Sequence, residues 1–154
     1  MRILVFSDTH GIIEPCIRAI HKSGKVDLIL HAGDTSTDAE DLSYIFPEIP
    51  IRYVPGNCEI SRLNTVDIID IGEKKIFLTH GHLFNVKNEP SYTTIINKAK
   101  DEKATICVFG HTHKPILDNI GSFMLLNPGS VKFGNTYGVI EIENGIAKAC
   151  ILDI

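Results

Sequence analysis

The sequence contains no tryptophan, no apolar run long enough to span a membrane, and no excess of positive charge. Its 154 residues carry 15 Lys and Arg against 19 Asp and Glu, which gives a formal net charge of −4. Proteins dedicated to nucleic acids neutralise backbone phosphates with surplus Lys and Arg, so nucleic acid is not the expected partner. A small phosphorylated substrate in a locally positive site remains compatible with this balance.

The sequence also lacks paired cysteines. Its four cysteines, at positions 16, 58, 107 and 150, form no CxxC pair, which argues against a disulfide framework and favours a reducing, cytoplasmic setting. Cys107 and Cys150 lie inside apolar runs and are predicted to be buried. Met1 and Arg2 lead straight into an apolar stretch without the pattern of a signal peptide, which supports the same expectation.

What the sequence does contain is a series of short apolar runs separated by helical patterns. Hydrophobic residues make up 44% and charged residues 22%, as in ordinary globular proteins, and residues 1–154 are expected to form one domain. Strands are predicted at 2–7, 27–31, 51–54, 66–71, 74–78, 104–109, near 115–119 and 122–126, and at 137–142 and 146–152. Helices are predicted at 14–22, 38–46 and 91–102, the last with Ser91 as candidate N-cap.

Helices between the first three strands imply that these strands pair in parallel. The predicted fold class is therefore α/β, with two packed mixed β-sheets and α-helices outside them. The run Asn127-Pro128-Gly129-Ser130 is predicted to be a turn.

The first strand ends abruptly in Asp8 and His10. In an extended chain, residues two apart point to the same side, so these two would present a carboxylate oxygen and an imidazole nitrogen to one point. Gly11 would then allow the backbone to bend sharply. Both groups bind divalent metals, although a single pair of this kind is more typical of a cap or turn at a strand end.

The same pattern recurs where four further apolar strands end. The potential ligands are Asp8, His10, Asp34, Asn57, His80, His111 and His113. Sites in parallel sheets form outside the carboxyl ends of the strands, where these residues are predicted to lie. One ion rarely takes more than about six ligands, so the set suits two ions, with Asp34 as a natural bridge. Imidazole mixed with oxygen ligands favours manganese, iron, zinc or cobalt over calcium.

These residues stand in motifs that resemble, in order, the signature of calcineurin-like metallophosphoesterases. The motifs are Asp8-x-His10, Gly33-Asp34, Gly56-Asn57, His80-Gly81-His82 and Gly110-His111-Thr112-His113. The short chain, the Gly-Asn-Cys run at 56–58 and the run at 127–130 are similar to the small YfcE-type phosphodiesterase branch. The resemblance covers essentially the whole chain.

The resemblance implies a β-sandwich flanked by helices and two divalent ions, with manganese as a frequent activator and nickel among the alternatives. It assigns one ion to Asp8, His10, Asp34 and His113, and the other to Asp34, Asn57, His80 and His111. It also implies hydrolysis of a small phosphodiester by a metal-bridging hydroxide, since coordination lowers the pKa of bound water. A homodimer or higher homo-oligomer is expected from the resemblance alone.

Catalytic roles are expected for Asp34, Asn57 and His82. Asp34 would bridge the ions, Asn57 would coordinate without cancelling positive charge, and His82 would contact the phosphate or support a ligand. Cys58 departs from the family pattern, because many members carry a histidine directly after the metal-binding asparagine. A thiol is a poor general acid, and Cys58 is predicted to be a small buried side chain.

Several neighbouring residues keep two interpretations. Glu59 would either orient a neighbour or face solvent, and Ser130 would steady His113 or a phosphate. His31 is predicted to pack behind the site rather than bind metal. Lys87 either contacts substrate or is simply solvated.

Two other functions fit the same sequence. One is a phosphomonoesterase of the same fold. The other is a non-catalytic assembly scaffold similar to the retromer subunit of this fold, which has changes in the ligand set. The presence of all the ligand positions here favours the enzyme.

Overall fold

Ten strands and four α-helices form two facing sheets in the computed structural model, which describes residues 1–154. The strands are β1 (Arg2–Phe6), β2 (Leu28–His31), β3 (Ile51–Tyr53), β4 (Val66–Ile71), β5 (Lys74–Thr79), β6 (Ile106–Val108), β7 (Pro115–Ile120), β8 (Phe123–Pro128), β9 (Thr136–Glu143) and β10 (Ile146–Asp153). The helices are α1 (Glu14–Lys22), α2 (Ser36–Ile45), α3 (Thr93–Asp101) and α4 (Val131–Gly134), and a 3₁₀ turn spans His82–Phe84. The sheet orders are β10-β9-β1-β2-β3 and β4-β5-β6-β8-β7.

Burial on both faces explains why β1 is apolar at successive positions. Ile3 and Val5 belong to the cluster of buried side chains between the two sheets, whereas Leu4 and Phe6 pack under α1 and α2. Successive strand residues point to opposite faces, so a strand covered on both sides needs apolar side chains throughout. A third cluster, which includes Phe77, lies beneath α3 on the outer face of the second sheet.

Parallel pairing brings several strand ends to one edge of the molecule. The pairs β1–β2 and β2–β3 are parallel in the first sheet, and β5–β6 and β6–β8 are parallel in the second. The predicted fold class, two packed mixed sheets flanked by helices, is confirmed. The loops that follow β1, β2, β3, β5 and β6 carry the candidate metal ligands. None of the helices is long and apolar enough to cross a membrane.

The predicted start of the third helix at Ser91 is wrong. Tyr92 adopts a left-handed conformation with φ of 52°, which an α-helix does not include, so α3 begins at Thr93. The Ser91 hydroxyl lies 2.9 Å from the Thr93 hydroxyl and caps no backbone N–H.

The predicted turn at 127–130 is also partly wrong. Asn127 and Pro128 are the last residues of β8, and Pro128 pairs with Pro115 of β7. Only Gly129 and Ser130 separate this strand from α4. Proline is tolerated here because it stands at the end of the strand, where a ladder hydrogen bond is dispensable.

Two predictions about cysteine burial fail, while that for Cys107 is confirmed. Cys150 is exposed because β10 is an edge strand whose side chains alternate between the sandwich and solvent. Cys58 is exposed in the loop after β3. An apolar run alone does not tell an edge strand from a central one.

Candidate metal centre

Five of the predicted ligands form one cluster at the shared edge of the two sheets, and the other two, Asn57 and His111, lie beside His80. Asp8, His10 and His113 form one group whose ligand atoms all lie within 4.8 Å of one another, and Asp8, Asp34 and His80 form a second. A third such group contains His10, Asp34 and Cys58. The cluster therefore joins loops from both halves of the chain.

Asp8 and His10 reach the cluster with a backbone conformation that differs from the predicted extended one. Their φ angles are 54° and 46°, so the chain is left-handed here and not extended. Asp34, His111 and His113 also have positive φ. A non-glycine residue in this region costs on the order of 1 kcal/mol or more, and such strain concentrates at functional sites.

A close approach between two loops fixes the Asp8 carboxylate. One oxygen, Oδ2, accepts a hydrogen bond of 2.6 Å from the Ser7 hydroxyl and one of 3.0 Å from the backbone N–H of His111. Gly110 makes this possible, since a Cβ there would lie 1.9 Å from Ser7 Oγ. Burial raises the pKa of Asp8, and the bond from Ser7 partly counteracts this rise.

Two other carboxylate oxygens of the cluster are buried without hydrogen-bond donors. Asp8 Oδ1 accepts no hydrogen bond and lies 3.1 Å from His113 Nε2 and 4.0 Å from His80 Nε2. Asp34 Oδ2 is likewise unsatisfied and contacts His10 Nδ1. Leaving a buried carboxylate oxygen unpaired is costly, and coordination to a cation removes that cost.

His80 presents a lone pair to the cluster. Its Nδ1 lies 2.8 Å from the carbonyl oxygen of Ala32, which can only accept, so Nδ1 carries the proton. Its Nε2 then faces Asn57 Oδ1 at 2.9 Å, and both atoms offer lone pairs. Burial lowers the pKa of His80 to about 3, and burial together with the charge of Lys87 lowers that of His111 to about 4.

Neutral imidazole is the form that binds metal, and carboxylate and amide oxygens complete a set of borderline and hard ligands. The residues present therefore fit divalent transition-metal ions. The His80–Ala32 hydrogen bond is of the kind that orients metal-binding histidines and fixes their tautomer.

Sequence reasoning missed Asp38, which supports the cluster from behind. Its carboxylate accepts hydrogen bonds from the Thr9 hydroxyl, the Gly11 N–H at 2.8 Å and the Thr35 hydroxyl at 2.9 Å. Burial raises its pKa, but these hydrogen bonds outweigh burial and hold the pKa below its ordinary value. The pattern Thr35-x-x-Asp38 before an apolar helical run resembles a capping box and could have revealed it.

His31 packs behind the site, as its position before Asp34 suggested. Its Nδ1 accepts from the backbone N–H of Gly33 at 3.3 Å, so Nε2 carries the proton and donates to the Thr9 hydroxyl at 3.1 Å. Burial lowers the pKa of His31 to about 4.

Asn127 and Ser130 hold two of the ligand-bearing loops. The Asn127 amide donates to the Gly110 carbonyl at 2.8 Å and to the Thr112 hydroxyl at 3.0 Å, which steadies the loop that carries His111 and His113. Ser130 Oγ donates to the Asp8 carbonyl oxygen at 2.8 Å. Ser130 thus contacts the Asp8 loop and not the predicted His113.

Glu59 and Cys58 follow Asn57 in the same loop. Glu59 orients a neighbour, since its carboxylate accepts from the Ser36 N–H at 2.8 Å and the Ser36 hydroxyl at 2.6 Å at the start of α2. The neighbouring Asp34 carboxylate, together with partial burial, raises the pKa of Cys58 to about 11. Cys58 is therefore a protonated thiol at neutral pH.

His82 lies beside the cluster on the 3₁₀ turn. Its ring centre is 5.5 Å from that of His80 and 6.1 Å from that of His111. Its Nδ1 is buried and has no hydrogen-bond partner, and burial lowers its pKa. Lys87 is exposed in the following loop.

Known proteins resemble the chain in sequence. Residues 1–145 match the family model of the calcineurin-like phosphoesterase superfamily domain. The chain is 28% identical to the probable metallophosphoesterase YsnB of Bacillus subtilis over 162 residues, which covers 99% of this chain and 91% of YsnB. It is 36% identical to the phosphodiesterase YfcE of Escherichia coli K12 over 74 residues, which covers 45% of this chain and 35% of YfcE.

Solved structures share the fold. A conserved protein of Streptococcus pneumoniae, described as a predicted phosphoesterase, superposes with a TM-score of 0.80 at 30% identity, covering 99% of this chain and 88% of that one. Wild-type Vps29 of Entamoeba histolytica, in complex with Zn²⁺, gives a TM-score of 0.75 at 22% identity over 99% of both chains. The likeness to Vps29 concerns the fold alone.

Proposed function

Because the chain belongs to the calcineurin-like phosphoesterase superfamily, we propose that it is a phosphodiesterase that works with two divalent metal ions. The observation that carries the proposal is the pair of buried, unsatisfied oxygens, Asp8 Oδ1 and Asp34 Oδ2, which face histidine nitrogens. Bound ions would supply positive charge for the phosphate and a hydroxide at neutral pH. Manganese is the proposed ion.

The proposed ligand sets share Asp34. One ion would be held by Asp8, His10, Asp34 and His113, and the other by Asp34, Asn57, His80 and His111. The groups of neighbouring ligand atoms support the sharing of Asp34, because Asp34 lies close both to His10 and to His80. Two aspartates leave part of the charge of two divalent ions uncancelled, and a positive site attracts an anionic ester.

His82 is the proposed contact of this chain to the substrate phosphate. It stands next to two proposed ligands, and its buried Nδ1 has no partner within the protein. Because that atom is closed to solvent, the contact would come from the other ring nitrogen, Nε2, which would donate to a phosphate oxygen when it carries the proton. Cys58 occupies the position at which many family members carry a histidine, so no strong general acid stands there.

The choice of a diester over a monoester follows from Cys58 and from the similarity to YfcE, a phosphodiesterase. A phosphomonoesterase is the alternative within enzymes. The Vps29 fold raises a second alternative, a scaffold for protein assembly, whose surface would matter more than its site. All seven predicted ligand positions carry metal-binding residue types, which a scaffold would not need, and this supports the enzyme.

The test is hydrolysis of bis(4-nitrophenyl) phosphate by metal-stripped protein titrated with manganese, with bound metal counted in parallel. We expect turnover that requires manganese, two ions per chain, and loss of turnover in Asp34→Asn and His80→Ala. His21→Ala changes an exposed histidine on α1; it is the matched control and should behave like the wild type.

Faster turnover of 4-nitrophenyl phosphate would favour the monoesterase. A protein that binds two ions and hydrolyses neither ester with any divalent metal would be a scaffold.

A further inference from the structure

Phe133 is an exposed aromatic residue that packs on two proposed metal ligands. Its side chain is 64% exposed. Its ring centre lies 5.2 Å from that of His113, with the planes only 21° apart, and 5.2 Å from that of His10 at 63°. Single exposed aromatic residues are ordinary on protein surfaces. Phe133, however, borders the site at which a phosphate would bind. A substituent on that phosphate would therefore lie against the exposed part of the Phe133 ring.

The backbone around Phe133 is tied to the Asp8 loop. Ser130 Oγ accepts from the Phe133 N–H at 3.0 Å and donates to the Asp8 carbonyl at 2.8 Å. The Val131 N–H donates to the Ser7 carbonyl at 3.0 Å. The backbone of Phe133 is therefore held beside the proposed ligands, and the ring itself rests against His10 and His113, which limits the entropy lost on binding.

A cation accompanies the ring. Lys132 Nζ lies over the Phe133 ring, 5.2 Å from its centre, at the end of an exposed and flexible side chain that a stacking group would displace. An apolar planar surface with a positive charge beside it is complementary to an anion that carries a planar ring. The ring would not favour a diester with small alkyl substituents, whereas the charge of Lys132 would attract any anionic diester.

We propose that Phe133 and Lys132 form an aromatic subsite that selects phosphodiesters with an aryl group or a nucleoside base. The inference rests on the proposed phosphodiesterase function and names its substrate class. Stacking on an aromatic side chain tolerates differences between rings, because every ring presents a π-face. The subsite therefore recognises the class of aromatic diesters and not one particular base.

Two esters with the same leaving group test the subsite. Phenyl 4-nitrophenyl phosphate and methyl 4-nitrophenyl phosphate both release 4-nitrophenolate and differ only in the retained group, which is the group that the subsite would hold. We expect the wild type to prefer the phenyl ester about tenfold in kcat/KM, mainly through KM, which is within the range of one stacked ring. Phe133→Leu should lose this preference and Phe133→Tyr should keep it. Leu83→Ala removes another exposed apolar side chain, 62% exposed, and should keep it as well.

A binding measurement separates the subsite from catalysis. Diphenylphosphinate and dimethylphosphinate carry the same charge and have no ester bond to hydrolyse. Calorimetry with the manganese-loaded protein should show that diphenylphosphinate binds about tenfold more tightly than dimethylphosphinate. Phe133→Leu should lose this difference in affinity. Lys132→Gln should weaken both anions.

The outcomes distinguish the two proposals. If the wild type hydrolyses neither ester, the phosphodiesterase proposal is wrong, and a phosphinate preference that depends on Phe133 would still support an aromatic subsite. If the wild type hydrolyses both esters equally well, or if Phe133→Leu keeps the phenyl preference, the aromatic subsite is wrong and the phosphodiesterase stands. Manganese content is measured in each variant. If Phe133→Leu binds less manganese but keeps the wild-type ratio of kcat/KM between the phenyl and methyl esters, that result also counts against the subsite.

Discussion

Thr9 and Asp38 share a buried hydrogen bond that joins the loop after β1 to the first turn of α2. The same carboxylate also accepts from the backbone N–H of Gly11. His10 lies between Thr9 and Gly11, so one side chain fixes both of its neighbours. Asp38 therefore determines where His10 stands without contacting it.

Replacing Asp38 with alanine should destabilise the protein and weaken metal binding together. The change leaves the Thr9, Gly11 and Thr35 donors without their acceptor, and we expect a loss of about 2 kcal/mol in the free energy of unfolding. Manganese affinity should fall roughly tenfold or more, as for other residues that orient ligands. Urea unfolding of the metal-free protein and a manganese titration measure the two effects.

Asp41→Ala, at an exposed position of the same helix, should change neither quantity. Unchanged manganese affinity in Asp38→Ala would show that Asp38 serves the fold alone.

The metal-free protein should lose stability in mild acid because of His31. The pKa of this buried side chain lies near 4, against 6.5 as the reference value. Between these values the unfolded chain binds a proton that the native state does not, so falling pH favours unfolding. His31 alone should remove roughly 3 kcal/mol from the free energy of unfolding by pH 4. This loss is complete only once the pH has fallen through the whole interval.

Urea unfolding at several pH values in the presence of a chelator would measure this dependence. His80 and His111, with pKa values of about 3 and 4, act in the same direction, while the raised pKa of Asp8 acts in the opposite one. A His31→Gln variant can replace both hydrogen bonds without titrating and should therefore show a shallower slope. An identical slope in that variant would mean that His31 does not contribute.

The ends of the apolar strands could be located from the sequence because each end is marked by residues that are neighbours in the chain. A buried run followed by a polar ligand, repeated along the chain, predicts parallel strands and a shared edge. The left-handed backbone of Asp8 and His10 could not be predicted in this way. The loop that carries them is held by residues more than a hundred positions away, since the Asp8 carboxylate accepts from the His111 N–H and the Asp8 carbonyl from Ser130 Oγ, and such contacts leave no local pattern.

The burial of an individual strand side chain depends on whether its strand is central or at the edge of the sheet. The sequence does not state this order of strands. Cys107 lies in a central strand and is buried, whereas Cys150 has a similar apolar context but lies in the edge strand. The order of strands is decided by packing across the whole sheet. The role of Asp38 was hidden for a related reason, since two of its three donors come from the loop after β1.

Gly110 should not accept even one methyl group. A Cβ there would lie 1.9 Å from Ser7 Oγ and 2.7 Å from Asp8 Oδ2, so the Asp8 carboxylate must move. We expect Gly110→Ala to lose at least about 1–3 kcal/mol of stability and most manganese-dependent turnover. Gly134→Ala is the matched control, because its Cβ would meet nothing closer than 3.4 Å. Thermal unfolding and manganese titration measure both variants, and a Gly110→Ala protein with wild-type manganese affinity would refute the tight contact.

The protonated thiol of Cys58 leads to a prediction about leaving groups. With a pKa of about 11, Cys58 is too weak an acid to protonate a departing alkoxide or aryloxide efficiently at neutral pH. The leaving oxygen must then depart with most of its negative charge, so kcat should fall steeply as the pKa of the leaving phenol rises. A series of aryl methyl phosphates with different ring substituents would measure the slope at saturating manganese. Cys58→Ser should leave that slope nearly unchanged, since a hydroxyl is an even weaker acid. A flat dependence in the wild type would show that another group donates the proton, and His82 would be the first residue to replace.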